Sequence, residues 1–281
     1  MLPTRHPWAQ VAPVVEACLP ELQSVGGELV VVGLAGPAPP TTPAGVRTVP
    51  VHDRDLLRLR LRAVREARGD IVAVGEDHSW PEPGWGRAVL RAHAEHPSTP
   101  AIVGCLVNGA TQSVSGRASF KAFAAPYVPP MPTVPDWRPP PLSTVSLKRS
   151  VVEQVDDRPG SLDGLVNRLF ADGRMVADDR VVLRHDQDLG IAASIRNGYA
   201  VTRSAYGYAL DRCEPGRRLE AVRWAVSHLP AMVWRAVRDS QGGPRLGYAE
   251  RAVVAAIAGA NTAGAVLGSL AGSGKAPEHY E

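Results

Sequence analysis

ARGDIVAVGEDHSWPEPGW, residues 67–85, is the stretch on which the reading of this chain turns. Asp70 to Gly75 is a short apolar run, β-branched in part and bounded by Gly69 and Gly75, the pattern of a buried strand. The segment before it, Leu56 to Arg68, reads as a helix that stops at Gly69. Helix followed by buried strand is the grammar of an α/β sheet, and in open α/β sheets ligands gather at the carboxyl ends of the strands. Glu76, Asp77 and His78 stand at that end, ahead of a rigid Pro81-x-Pro83-Gly84-Trp85 turn. Paired carboxylates there can hold a hard divalent cation through oxygen, and such a cation can neutralise a diphosphate. Asp77 is the leading candidate, and alternation along extended backbone aims Glu76 and His78 to one side. An imidazole suits Mn²⁺ better than Mg²⁺. The competing reading is that the triplet only caps the turn.

Outward from this stretch the same grammar recurs. Residues 8–23 have helical spacing, and the run from Glu28 to Gly33 reads as a second buried strand. Residues 34–50 read as a Pro/Gly/Thr loop, 84–95 as a helix and 101–107 as a third strand. Eight of the sixteen residues in 126–141 are proline, which excludes regular structure and predicts an ordered or mobile surface loop. Helices are expected at 144–156, 161–172, 188–211 and 218–239, with a short strand at 181–183, a break at Gly242-Gly243-Pro244 and an apolar Ala/Gly segment at 252–271. A parallel sheet normally opens on a strand, yet little precedes the first helix. The first strand is then either a stub or a piece of a strand that begins upstream of Met1. The resulting partition is a main domain over 1–210 and a helical tail over 211–281.

Composition narrows the function classes. The chain has 281 residues, 44% of them hydrophobic, which excludes disorder as its overall state. With 5% aromatics, 27 glycines and 26 prolines, a helical bundle is disfavoured. A formal charge of +3 is too balanced for a dedicated nucleic-acid binder. Cys18, Cys105 and Cys213 are odd in number and widely spaced, which predicts neither a disulfide framework nor a metal site and suits a reducing, cytoplasmic setting. The segment 252–271 has the length of a membrane span, but Ala and Gly are weakly apolar and Asn261 sits centrally. The helix before it mixes Trp224 and Trp234 with Arg223, Arg235 and Arg238, which suits an interfacial helix. Peripheral contact with the inner face of the cell membrane, or a hairpin packed on the domain, is expected over a true span.

In these ordered pieces the chain resembles a known family, the nucleotide-diphospho-sugar glycosyltransferases of the GT-A fold, family 2, in its bacterial form. ARGDIVAVGEDHSWPEPGW resembles the family's block in which an Asp-rich triplet binds metal and sugar diphosphate. LPTRHPW (2–8) is similar to the end of the first strand with its nucleotide-contacting loop, and HPSTPAIVGCLVNG (96–109) to the strand and loop that follow. LSTVSLKRSVV (142–152) resembles the entry to the acceptor-side helix, and VVLRHDQD (181–188) the late strand with its His. The resemblance implies an α/β, Rossmann-like, mostly parallel sheet flanked by helices, with a C-terminal helical tail. It implies inverting transfer of a hexose or related sugar from a nucleotide diphosphate donor to a hydroxyl of a glycan, lipid or small molecule, assisted by Mn²⁺ or Mg²⁺. On this resemblance Asp77, His78 and His185 contact the metal, and Pro3, Thr4, Arg60, Glu76 and Asp77 bind the donor. Asp163 is the nearest candidate for the general base, against the plainer reading that it begins a helix favourably.

The chain also departs from the family's pattern. Gly33 and Leu34 stand where an Asp usually follows the second strand, the triplet is Glu-Asp-His, and Ser161-Leu162-Asp163 replaces the acceptor-side Glu-Asp pair. These departures motivate an alternative: a degenerate GT-A domain that binds nucleotide or glycan without turnover. A metal-dependent hydrolase is a weaker reading, since HxH and HExxH spacings are missing.

Overall fold

A computed structural model describes residues 1–37, 39, 41–136, 138–211, 213–238 and 246–279. The expected Gly242-Gly243-Pro244 break lies outside the described residues. The chain forms two compact units, Met1–Val107 with Tyr127–His185 and Asn108–Pro126 with Asp186–Glu281. The boundaries therefore fall at 107/108, 126/127 and 185/186, where sequence reasoning set 1–210 beside 211–281.

The first unit opens with β1 (Leu2–Pro3), α1 (Trp8–Gln23), β2 (Leu29–Val32), β3 (Val46–Val49) and α2 (Leu56–Glu66). β2 pairs in parallel with β1, through Leu2↔Val31 and Pro3↔Val32, and with β3, from Leu29↔Val46 to Val32↔Val49. All four residues of β2 are buried, for a reason visible in their alternation. Leu29 and Val31 pack with Val11, Val14 and Val15 of α1, while Val30 and Val32 pack with Leu59 and Ala63 of α2. A strand covered on both faces is the pattern of a doubly wound sheet, and each buried valine contributes about 2 kcal/mol. α2 starts where the Asp55 carboxylate accepts from the backbone N–H groups of Leu57 and Arg58.

β4 (Ile71–Ala73), β5 (Ser79–Pro81), α3 (Trp85–Glu95), β6 (Ala101–Asn108), β7 (Val145–Lys148), α5 (Arg149–Val152), α6 (Ser161–Ala171) and β8 (Met175–His185) complete the unit, apart from Asn108. Their strand order is β4-β7-β6-β8-β5. Two main-chain bonds join this sheet to the first: the Met1 ammonium donates to the Ala73 carbonyl (2.9 Å), and the Gly75 N–H donates to the Met1 carbonyl (2.8 Å). The expectation of a mostly parallel sheet is corrected here. β4 with β7, β6 with β7 and β5 with β8 are all antiparallel, so parallel pairing in β1-β2-β3 is combined with antiparallel pairing in the second sheet. The cause lies in 144–156, read as a helix from its sequence. Val145, Ser146 and Leu147 are instead buried as a strand between β4 and β6, where pairing on both edges overrides local spacing.

The proline-rich segment is irregular, as expected, and it reaches the surface at Pro129, Pro130, Pro132, Thr133 and Asp136 while other residues anchor it in the core. Tyr127 and Met131, with Leu142 just beyond the segment, are buried with Val72 of β4, with Val74 just after it and with Leu162, Leu165, Val166 and Leu169 of α6. The Tyr127 hydroxyl donates to the Arg138 carbonyl.

The second unit comprises α4 (Val114–Ala124), α7 (Gly190–Ala209), α8 (Pro215–Arg238) and α9 (Tyr248–Ala271). Ala118 and Ala122 of α4 meet Val233 of α8 and Val253, Val254, Ile257 and Ala258 of α9. α7 and α9 approach through small residues. A Cβ on Gly264 would stand 2.3 Å from the Tyr199 carbonyl, and one on Gly268 would stand 2.6 Å from the Arg203 carbonyl. By length and composition α9 could cross a membrane, and part of its apolar stretch is buried inside this unit.

Candidate active site at the end of the fourth strand

All the candidate side chains belong to the first unit. β4 ends at Ala73, and Val74 and Gly75 carry the chain out of the sheet into Glu76, Asp77 and His78. The Ser79 N–H donates to the Glu76 carbonyl (3.0 Å), closing the triplet into a turn that leads directly into β5. Register then does what sequence proximity could not. β5 pairs antiparallel with β8 so that Ser79 lies opposite His185, and a residue far along the chain is delivered beside the triplet.

The His78 and His185 rings meet edge to face, 4.8 Å between centroids and 88° between planes. Glu76 Oε2 lies 3.6 Å from His78 Nε2 and 3.8 Å from His185 Nε2. One ligand-capable atom from each of these three residues falls within 4.8 Å of the others. Asp77 has a different task. Its Oδ2 accepts from the Thr4 hydroxyl (2.5 Å), and its Oδ1 is 3.0 Å from His78 Nδ1. A carboxylate only accepts, so His78 Nδ1 carries a proton, and Nε2 faces Glu76. That carboxylate–imidazole arrangement commonly orients metal-binding histidines. Two imidazole nitrogens and one carboxylate oxygen fit a divalent transition ion such as Mn²⁺ better than Mg²⁺.

The electrostatics couple these groups to one another, and a metal on His78 Nε2 would displace any proton held there. Burial pushes the Glu76 carboxyl upward, but His78, His185 and Arg60 outweigh it and hold the group below its ordinary value. Burial likewise opposes ionisation of Asp77, which the His78 and Thr4 contacts overcome, so its carboxyl is lowered as well. For His78, burial works against the cation, while Asp77 and Glu76 raise its pKa overall. Burial and the neighbouring His78 push His185 down to about 4, which leaves it neutral and able to donate a lone pair.

Arg60 is where α2 meets this site. The side chains of Arg58 and Arg62 are 57% and 54% exposed, and that of Arg60 only 3%. Residues two apart on a helix diverge by about 200°, so one of the three faces inward. Arg60 Nη2 lies 3.4 Å from Glu76 Oε1, and Nη1 lies 3.4 Å from Asp163 Oδ1. Asp163 stands in the first turn of α6, and its Oδ2 is enclosed without a hydrogen-bond partner among the described residues. Burial raises its carboxyl, with Arg60 pulling the other way. Glu76 and Asp163 are thus the two acidic partners of one buried guanidinium.

Pro3 contributes backbone, its strand position fixing Thr4, whose N–H donates to the Val32 carbonyl (2.9 Å). Opposite Thr4, Gly33 has φ +89°, and a Cβ there would stand 2.7 Å from the Thr4 carbonyl and from a Leu59 methyl. A side chain at that point would need the Thr4 backbone and Leu59 to shift, so this packing suits the glycine found where the resemblance implies an Asp. Sequence reasoning passed over His6, whose Nε2 is 3.8 Å from Asp77 Oδ2 and whose N–H donates to Thr4 Oγ1 (3.1 Å). It also passed over Ser79, whose hydroxyl is 3.4 Å from Glu76 Oε2. The quoted LPTRHPW contained the first of these, but only the pairing of β1 with β2 and the bonds of Met1 to Ala73 and Gly75 explain its position.

No family model and no curated protein matches the sequence. Solved structures do match. The chain is similar to the mannosyltransferase PcManGT from Pyrobaculum calidifontis in complex with GDP-Man and Mn²⁺, with 16% identity, a TM-score of 0.56 and coverage of 96% of this chain and 86% of that one. It is also similar to S. aureus TarS 1-349 in complex with UDP, with 11% identity, a TM-score of 0.46 and coverage of 95% of this chain and 89% of that one. The likeness to PcManGT shows that the chain has the GT-A fold.

Proposed function

We propose that the protein is a metal-assisted, inverting glycosyltransferase that uses a nucleotide diphosphate sugar. The observation that carries this reading is the convergence of Glu76, His78 and His185 at the strand end where GT-A folds handle a diphosphate. The GDP-Man and Mn²⁺ in the PcManGT complex support the same donor class and cofactor. Glu76 Oε2 and the Nε2 atoms of His78 and His185 would hold the cation, with Asp77 orienting His78. When bound, the cation supplies electrostatic stabilisation of the negative charge that grows on the departing diphosphate. Thr4 and the backbone of Pro3 and Gly33 line the donor's nucleotide end. Arg60 acts by positioning Glu76 and Asp163 rather than by gripping the donor.

Asp163 takes the acceptor proton. The acceptor hydroxyl oxygen attacks the anomeric carbon, its proton passes to a carboxylate oxygen of Asp163, and the bond between that carbon and the diphosphate oxygen breaks, releasing the nucleoside diphosphate. A carboxyl raised by burial is the better matched general base near neutral pH. The acceptor is a glycan, lipid or small-molecule hydroxyl, and the reaction runs in the cytoplasm.

The test is turnover of a panel of nucleotide sugars by the purified protein with added Mn²⁺, comparing wild type with Glu76→Gln. Mn²⁺-dependent release of nucleoside diphosphate that falls about 100-fold in Glu76→Gln supports the reading. Equal rates in the two proteins overturn the metal assignment. The ion pair that occupies Asp163 Oδ1 favours a second reading, a domain that binds nucleotide without turnover. Calorimetric binding of a nucleoside diphosphate, with no transfer across a broad acceptor panel, would establish that alternative.

A further inference from the structure

We propose that the outward face of α8 docks the protein on an anionic lipid surface. The helix has a clear inner line: Ala225 and Val233 are buried, and Val233 packs with Val253, Val254 and Ile257 of α9. Beside that line, Leu219, Val226, Pro230 and Trp234 recur at intervals of seven, four and four residues, a stripe that borders the buried Val233 and turns away from it toward Trp234. Leu219 is 53% exposed, Val226 55% and Trp234 40%. Trp224 is exposed further round the helix, with its ring stacked on His228 at 5.1 Å and 3°. A soluble helix normally turns such residues inward.

The charge on the same helix selects the occupant. α8 carries Arg217, Arg218, Arg223, Arg235 and Arg238 against a single acidic residue, Glu220, which is itself 3.7 Å from Arg217. Arg223, Arg235 and Arg238 are exposed, and Arg223 falls within the apolar stripe, one turn after Leu219. Tryptophan and apolar side chains interleaved with arginine are what an interfacial helix needs, the rings at headgroup depth and the guanidinium groups on lipid phosphates. A second copy of the chain is a poor occupant. An isologous contact sets the same patch against itself, and here that would press arginine against arginine with little acid to answer it. The docking face lies wholly within the second unit and does not depend on the transfer reading.

The experiment is flotation of the full-length protein with vesicles, in the absence of any donor sugar. Expected is partitioning onto phosphatidylcholine vesicles containing about one third phosphatidylglycerol and not onto phosphatidylcholine alone, with a blue shift of tryptophan emission and release at high salt. Arg223→Glu with Arg238→Glu should lower partitioning at least about tenfold. Val226→Ser with Trp234→Ser should lower it too while keeping helical circular dichroism. Arg91→Glu, an exposed change on α3 in the first unit, should leave it intact. Failure to prefer anionic vesicles, or undiminished binding by the charge-reversed variant, overturns the proposal. So does a concentration-dependent dimer that Trp234→Ser dissolves. Because no turnover is measured, an inactive protein that still binds vesicles leaves the inference standing.

Discussion

The turn at Glu76, Asp77 and His78 and the seam between α7 and α9 are both tightly packed, by opposite choices of residue. The turn crowds Glu76, Asp77, His78, His185, Arg60 and Asp163 into a largely dehydrated space, and almost every one of them has a shifted titration. The seam uses Gly198, Gly264 and Gly268, and a methyl group at any of them would collide with the facing helix. Desolvating ionisable groups opposes folding, and their mutual attraction commonly only offsets that cost. Close helix packing works with folding. The difference teaches where selection for chemistry is visible: residues that a stable fold has no need of, held where they are expensive, mark the site.

The sharpest way to break the comparison is to remove a member of each region and measure two things, turnover and stability. His185→Gln should cut Mn²⁺-dependent turnover about 100-fold or more while leaving the thermal midpoint unchanged or raised, since a neutral imidazole leaves a crowded dehydrated site. A large drop in midpoint with intact turnover would make the cluster structural. Gly264→Val should do the reverse. With the Tyr199 carbonyl 2.3 Å from any new Cβ, the helices must separate, costing about 3 kcal/mol in urea denaturation.

A finer contrast lies inside the site, between two carboxylates that share Arg60. Asp163 is raised, so the folded chain holds its proton more tightly than the unfolded chain does, and this group's contribution to stability falls as pH rises through its folded value. Glu76 is lowered, so its contribution is present above the ordinary carboxylate value and is lost as pH falls through its folded value. Asp163→Asn keeps an acceptor for Arg60 and removes only the first dependence. Its stability relative to wild type should therefore rise, in urea midpoints, as pH climbs above the ordinary aspartate value, and level off once the folded Asp163 ionises. A difference that stays flat with pH would show that Asp163 ionises as readily in the folded chain as in the unfolded one.

These contrasts also explain what was legible in the sequence. β2, α2 and β4 could be read because each is buried by its own pattern, and the Glu76, Asp77, His78 triplet could be read because a strand end is where ligands gather. β7 was misread as helix and β3 was lost in a loop, since Val145-Ser146-Leu147-Lys148 and Val46-Arg47-Thr48-Val49 are strands only by virtue of their neighbours. α4 went unread because its Ser/Gly/Ala-rich sequence is apolar on too little of its surface. Within the site, the resemblance singles out Arg60 as a donor contact, but the sequence does not show that it, and not Arg58 or Arg62, is the arginine buried between two acidic groups. That choice is made by Glu76 and Asp163, 16 and 103 residues away. His185 is the extreme case: its role came from resemblance alone, and its position from the Ser79↔His185 register.

The smallest effect tests the seam's own logic, by asking whether glycine in α9 is there for packing or merely tolerated. Gly259 lies on the same helix as Gly264, yet a Cβ built on it meets nothing within 4 Å. A helix-interior glycine without a packing reason costs stability through backbone entropy. Gly259→Ala should accordingly raise stability by about 0.5–1 kcal/mol in the urea experiment that shows Gly264→Val falling. The pair isolates contact from composition, since both changes add a side chain to the same apolar helix and only one faces a neighbour. Loss of stability in Gly259→Ala would mean that this exposed line of α9 is covered in solution, and the glycine stripe would then extend to a surface outside the α7 seam.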